Sequence, residues 1–258
     1  MSKAPFNNRL HAGRQLAAAL SAYAGNPDAI VLALPRGGVP VGFAVAKALR
    51  LALDVLLVRK LGLPAHPEFA MGAIASGGVR VVNEATIDAF AVAPDVLATV
   101  CAREQAEIAR RERQYRGARP PLALQGRIAI LVDDGLATGS TMRAAVEAAR
   151  LLGARRVVAA VPVGAMDSCA ALAAEVDELV CLSQPLHFRA VSTWYQSFDQ
   201  TTDEEVQDLL ATAWRTQAHG EAGTAGAQHG HGAGTGTPSA QHRHGEHEEH
   251  GEQHANRF

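Results

Sequence analysis

A chain of 258 residues, 48% of them hydrophobic, has enough apolar side chain for one sizeable core or two small ones. Its 24 basic and 26 acidic residues leave a formal net charge of -2, so no global basic field favours nucleic acid as a partner, and no apolar run approaches the roughly 18 to 20 residues of a membrane span. The opening MSKAPFNNRLHAGRQ lacks a secretory apolar stretch, and Cys101, Cys169 and Cys181 suit neither a disulfide framework nor a zinc knuckle; the expectation is a cytoplasmic protein with reduced, mostly buried thiols.

The first aliphatic run, AIVLAL at 29–34, leads through Pro35-Arg36-Gly37-Gly38 into a helical stretch at 39–50. LDVLLV at 53–58 follows, and then a segment punctuated by glycine and proline, VRKLGLPAHPEFAMGAIA at 58–75, reads as a loop. Pro94-Asp95 starts a long charged helix over 94–117. Within it Arg103, Glu107 and Arg111 stand at i, i+4 spacing and can pair along one face, which is either solvated or a contact between two copies in a homodimer. RIAILV at 127–132, a helix at 140–152 stopped by Gly153, RVVAAVPV at 156–163 and a helix at 166–174 continue the rhythm. Strands this continuously apolar are covered on both faces, so the alternation predicts an α/β fold with a doubly wound parallel sheet and right-handed crossovers. Thr202 is the expected cap of a last helix, with Glu205 completing a capping box. Beyond residue 217 the chain holds eight of its eleven histidines and no aliphatic side chain larger than that of alanine, which predicts a globular domain at 1–217 and a disordered Gly/His-rich tail at 218–258. The tail histidines are either a weak transition-metal ligand set or simply solvated.

Chemistry concentrates where strands end. In an open parallel sheet, ligands bind outside the carboxyl ends of the strands. ILVDDGLATGST at 130–141 closes one strand with Asp133 and Asp134 and turns through Ala137, Thr138, Gly139, Ser140 and Thr141 into a helix. Amides at a helix start, joined by three hydroxyls, make a phosphate cup. Carboxylates facing that phosphate would repel it, so they must meet another part of the same ligand, and a sugar diol donates to both. The residues therefore propose a ribose 5-phosphate site, although an ordinary capped helix after an acidic strand end would look the same. Arg36-Gly37-Gly38 offers a second anion site, since bare glycines let main-chain N–H groups approach closely; a plain glycine turn is the alternative.

VDDGLATGST resembles the phosphoribosyl pyrophosphate (PRPP) binding motif of the type I phosphoribosyltransferases. Through that resemblance Asp133 and Asp134 contact the ribose 2- and 3-hydroxyls, and Ala137 to Thr141 hold the 5-phosphate. LALPRGGVPVG is similar to the family's pyrophosphate loop, with Arg36, Gly37 and Gly38 in its anion-binding positions and Pro35-Arg36 or Arg36-Gly37 as the place for a cis peptide. Arg59-Lys60-Leu61-Gly62-Leu63-Pro64 is similar to the lid of adenine phosphoribosyltransferases, which implies that Arg59 and Lys60 neutralise departing pyrophosphate. The resemblance further implies a small hood, Mg2+ bound mainly through PRPP, and transfer to a small nitrogenous acceptor. Its acceptor site is expected in SQPLHFRAVSTWYQSFDQ at 183–200, with Trp194 and Tyr195 among the stacking aromatics and His187 or Arg189 reading a polar edge, unless these aromatics simply pack a C-terminal segment against the sheet. Ala137 stands where 6-oxopurine transferases usually carry an aspartate, which disfavours hypoxanthine or guanine. Two other functions fit the same cup: a PRPP or nucleotide sensor without transfer, and a phosphatase or phosphorylase of phosphorylated ribose.

Overall fold

Residues 5–64, 66 and 69–226 are described by the computed structural model. In chain order the elements are α1 (Arg9–Ala19), β1 (Ala29–Ala33), α2 (Gly38–Leu49), β2 (Ala52–Val55), β3 (Val58–Gly62), β4 (Ala70–Ala75), β5 (Arg80–Val82), α3 (Glu84–Ala89), α4 (Pro94–Arg116), β6 (Ile128–Val132), α5 (Ser140–Leu151), β7 (Arg156–Val163), α6 (Met166–Ala173), β8 (Glu178–Ser183) and α7 (Asp203–Gly226). The first compact unit is Met1–Gly220; of the second, Glu221–Phe258, only residues 221–226 are described, and they are helical. The expected boundary at 218 therefore falls inside α7, and the expected tail lies, from 227 on, outside the described residues. Among the described residues no helix is long and apolar enough to cross a membrane.

Five parallel strands form the central sheet in the order β2-β1-β6-β7-β8, which is the doubly wound α/β arrangement. Alternation explains why its strands read as unbroken apolar runs. Val31, Ala33, Ile130, Val132, Val158 and Ala160 belong to one core, with α2 and the start of α7, while Leu32, Leu131, Val157, Ala159 and Val161 belong to the other, with α5 and α6. Helix α5 stops as its glycine predicts: Gly153 has φ 88, its N–H donates to Arg150 O at 2.9 Å, and Ala154 N–H donates to Ala149 O at 3.0 Å. The Thr202 cap is also present, accepting from Glu205 N–H at 3.1 Å. All three cysteines are free thiols.

The edge strand β2 is closed off by side chains. Asp54 takes a two-pronged ion pair from Arg116, at 2.9 and 3.0 Å, and Trp214 Nε1 donates to Leu53 O at 2.8 Å.

Two expectations change here. The run 53–58 is not one strand: β2 ends at Val55, Leu56 and Leu57 are buried, and Val58 begins a separate antiparallel sheet, β3-β4-β5. Consequently the segment 58–75 is no simple loop, for Arg59 pairs across from Ile74 and Lys60 from Ala73. This small sheet, with α4 packed on it, is the hood. The second change concerns α4, where Glu107 pairs with Arg111 and Arg110 but Arg103 turns instead to Glu104.

Candidate active site

Strand order reverses between β1 and β6. From β1 the chain moves outward to β2, and from β6 it moves the other way to β7 and β8, so a crevice opens outside the carboxyl ends of this adjacent pair. Residues 34–38 leave β1 at that point and residues 133–141 leave β6, with Leu34 N–H donating to Val132 O at 2.9 Å to hold the two exits together.

The two loops interlock through the glycines. A Cβ on Gly37 would lie 2.0 Å from Asp134 Oδ2, and one on Gly38 would lie 2.5 Å from Val132 O. Gly37 has φ -60 and ψ -33, which any residue tolerates, so glycine is needed there for space and not for conformation. The Pro35-Arg36 peptide is cis, and Gly38 N–H donates to Leu34 O at 3.0 Å.

Asp133 and Asp134 sit side by side at the end of β6. Asp133 Oδ1 accepts from Asp134 N–H at 2.8 Å. Asp134 Oδ2 accepts from Arg9 Nε at 2.8 Å, and Asp134 O accepts from Tyr195 OH at 2.6 Å. Burial and the adjacent Asp134 charge raise the Asp133 carboxyl well above the ordinary range. Burial also raises Asp134, and the bond from Arg9 works against that rise. Tyr195 is itself buried, its ring tilted against those of Phe6 and Phe198 at centroid distances of 5.4 and 4.9 Å, and burial and the Asp134 charge push its hydroxyl upward. Trp194 joins the same cluster, and its buried Nε1 has no partner among the described residues.

The turn after the acids is anchored at its base. Leu136 N–H donates to Val163 O at 2.8 Å and Ala165 N–H to Leu136 O at 2.9 Å, while Ser168 Oγ donates to Ala137 O at 2.5 Å. Gly139, at φ 77, caps α5 in the left-handed conformation, and Thr138 and Ser140 hydroxyls lie 3.2 Å apart beside it. Thr141 lies on the wall of a crevice shared with Pro35, Val58, Arg59, Ile108 and Arg111.

Each arginine here has a carboxylate. Arg36 Nη1 lies 3.7 Å from Asp203 Oδ1, and Asp203 also accepts from Tyr115 OH. Burial and that bond to Asp203 raise the Tyr115 hydroxyl to about 12. Arg59 Nε donates to Glu104 at 2.8 Å. Burial tends to raise Glu104, yet the hydrogen bonds from Arg59 and Arg103 prevail and its carboxyl is lowered. Arg111 Nε donates to Glu107 at 2.7 Å, and bonds from Arg110 and then Arg111 bring Glu107 down to about 2. Lys60, the next residue on β3, is exposed and points to the other side of that strand. Among the described residues no three His, Cys, Asp or Glu side chains gather as a metal cage.

Sequence reasoning passed over Arg9, Glu104 and Asp203, and it read Arg111 only as part of a charged helix face and not as a wall of the crevice. For two of these a signal was present: Cys101, Glu104, Ile108, Arg111 and Tyr115 recur at helical spacing, so a buried acid and an arginine stand in the inward stripe of α4. Arg9 and Asp203 carry no such pattern, because their partners lie 125 and 167 positions away in the chain.

The family model "Phosphoribosyl transferase domain" matches residues 6–192. Over 210 residues the chain is 47% identical to proteins of Mycobacterium tuberculosis strains CDC 1551 and H37Rv, both named "Putative phosphoribosyl transferase". That match covers 81% of this chain and 47% of each relative, so the chain spans about half the length of the curated relatives it matches. It is also similar to the crystal structure of TT1426 from Thermus thermophilus, with 43% identity and a TM-score of 0.71 over 80% of this chain and 97% of that one.

Proposed function

The chain belongs to the type I phosphoribosyltransferase family, and from that premise we propose that it transfers the 5-phosphoribosyl group of PRPP to a nitrogenous acceptor in the cytoplasm, releasing pyrophosphate. The observation that carries this is the meeting of an acid pair, a hydroxyl-lined helix start and an Arg-Gly-Gly loop at one switch point, with Asp134 seated in the space Gly37 leaves.

Asp133 and Asp134 accept the ribose hydroxyls, and Ala137 to Thr141 take the 5-phosphate on amides and hydroxyls. At C1 the acceptor nitrogen forms its bond as the C1–O bond to pyrophosphate breaks. The electron pair leaves with pyrophosphate, and the proton on nitrogen departs to solvent. Arg36 and Arg59, with the Gly37-Gly38 turn and Arg111, stabilise the charge that develops on the leaving group, whereas Lys60, on the opposite side of β3 from Arg59, is turned away from it. A Mg2+ would arrive on the diphosphate, held by its oxygens and by waters, and Asp133 and Asp134, which meet the ribose and in the second case Arg9, would face it at most through water. When bound, that ion supplies charge neutralisation of the leaving group. The acceptor is received beside Ala137 and the segment that carries Trp194 and Tyr195, and an alanine at 137 turns the preference away from 6-oxopurines.

Incubation with Mg2+, PRPP and a pool of nucleobases, with pyrophosphate as the readout, tests the proposal. Base-dependent release is expected. Base-independent release would replace transfer with hydrolysis, and binding without turnover would make the chain a sensor.

A further inference from the structure

Arg9 lies outside every motif that points to PRPP, yet its guanidinium touches the acid pair directly. Nε donates to Asp134 Oδ2 at 2.8 Å, Nη1 donates to Asp199 O at 2.7 Å, and the guanidinium carbon sits 3.7 Å from the centroid of the Phe198 ring. Its side chain is 12% exposed, so this posture is fixed by packing as well as by charge. On the other side of the same residue, Tyr195 OH holds the Asp134 carbonyl at 2.6 Å. Phe6, Tyr195 and Phe198 pack as one aromatic wall behind both contacts.

We propose that Arg9 is a positioning residue of the phosphoribosyl site, orienting the Asp134 carboxylate toward the ribose diol and tying it to the 194–199 segment. The assignment rests on the PRPP reading above and adds the residue through which one of its two acids is held. It also gives the aromatic segment a role apart from stacking on the acceptor: Phe198 and Tyr195 form the frame in which Arg9 and Asp134 are locked. A planar fork that donates to two separate oxygens and stacks on a ring is a geometry lysine does not reproduce, because an ammonium is a compact point charge.

The charge on Arg9 has a second consequence. A carboxylate accepts hydroxyl donors well only when ionised, and the groups facing Asp134 are Asp133 beside it, Arg9 from α1 and the neutral phenol of Tyr195. The turn opposite contributes Gly37, which brings no charge. Arg9 is thus the one cation among these neighbours. It offsets the burial that favours the protonated acid, so without it Asp134 takes up a proton at higher pH.

The test compares wild type, Arg9→Gln and Arg9→Lys in two ways. Carbon-detected NMR of the aspartate carboxyls, without ligand, follows the Asp134 titration, and calorimetry follows PRPP binding with Mg2+ between pH 4 and 8. The expected result for Arg9→Gln is an Asp134 titration moved to higher pH and PRPP binding weakened about tenfold or more near neutrality. The acid limb of its binding profile should rise by the same interval as the titration. Arg9→Lys should return the titration and the acid limb toward wild type while recovering only part of the affinity, because charge is restored and the fork is not. A loss of affinity in Arg9→Gln that is equal at every pH, with an unmoved Asp134 titration, overturns the proposal and leaves Arg9 a packing residue. So does unchanged PRPP affinity. Wild-type protein that binds no PRPP, while its Asp134 titration still answers to Arg9, overturns the PRPP reading and with it the ribose role of this arginine.

Discussion

Replacing Gly37 by alanine isolates the contact between the two loops. The native φ and ψ suit alanine, so the backbone needs no change, and removing a glycine there favours folding by about 0.4–1 kcal/mol through the unfolded state. The added Cβ, however, would stand 2.0 Å from Asp134 Oδ2 and 2.7 Å from Asp134 Cγ. A carboxylate is the movable partner, so Asp134 swings away and gives up its 2.8 Å bond from Arg9. A hydrogen bond between charged groups contributes about 1.5–3 kcal/mol, so the displaced acid should weaken PRPP binding by roughly tenfold to a hundredfold. Isothermal calorimetry with Mg2+-PRPP reads the affinity, and thermal unfolding reads the fold. The signature is a divergence: affinity falls about tenfold or more while the melting temperature falls only modestly, because the gain through the unfolded state offsets part of the lost Arg9 bond. Gly38→Ala is the contrast, because its Cβ meets the Val132 carbonyl at 2.5 Å, a backbone atom of β6 that cannot swing aside, and its cost should appear in stability. Gly37→Ala protein that binds PRPP within twofold of wild type would refute the interlocked-loop account.

Three further predictions use other parts of the molecule. Asp54→Ala strands the buried Arg116 guanidinium and should cost about 3–5 kcal/mol, lowering the melting temperature on the order of 6–20 °C in calorimetric scans. Asp133→Asn should stabilise the fold at pH 8. The native Asp133 carboxyl titrates above its unfolded value, so its contribution is fully present below the ordinary carboxylate range and is lost as pH rises through the raised native value. Melting temperatures of the variant and wild type should therefore differ at pH 8 and converge under acid, and a gap that widens under acid would contradict the sign. Arg111→Ala should raise the dissociation constant for PRPP about tenfold and leave that for ribose 5-phosphate unchanged, because under the proposed function the crevice it lines with Arg59 receives the diphosphate. Equal losses for both ligands would place Arg111 outside that role.

The sequence exposed those parts of the fold whose physics is local. Strands β1, β6 and β7 are buried on both faces, so their composition alone announced them, and α5 carried its stop signal in Gly153. The hood strands were hidden because they are short, partly exposed and broken by Gly62 and Pro64, which spell a loop when neighbours are unknown. Strand β8 is half-buried along its whole length at the sheet edge and shows no clear period. Helix α1 is alanine-rich and weakly two-faced, with only Asn8, whose side chain accepts from His11 N–H, to mark its start. In the candidate site, the closeness of Asp133, Asp134 and the 137–141 turn was legible because they lie in one contiguous stretch between β6 and α5. Tyr195 was legible as an aromatic near the site but not as the donor to Asp134 O, since that bond depends on how the segment between β8 and α7 returns to the loop after β6.

The arginine pairs differ in how readily an incoming anion can claim them. Arg36 and Asp203 are 3.7 Å apart and each about one-third exposed, the kind of pair that contributes under about 1 kcal/mol. A diphosphate can take Arg36 with little lost, and Asp203 retains its bond from Tyr115. Arg59 is different: its partner Glu104 is 6% exposed, and drawing Arg59 away would leave a buried carboxylate with Arg103 as its remaining donor. Arg59 therefore does better to stay on Glu104 through Nε and meet the ligand with its remaining N–H groups. Arg111, held by Glu107 at the helix surface, is intermediate, with both side chains a little over one-quarter exposed. Beside the crevice that Arg59 and Arg111 line, Arg36 on the β1 loop is thus the most readily released of the three cations and Arg59 the most firmly held. Under the proposed function, a diphosphate that met all three arginines would bridge the β1 loop and the small sheet with its helix α4, because neither side alone offers them all.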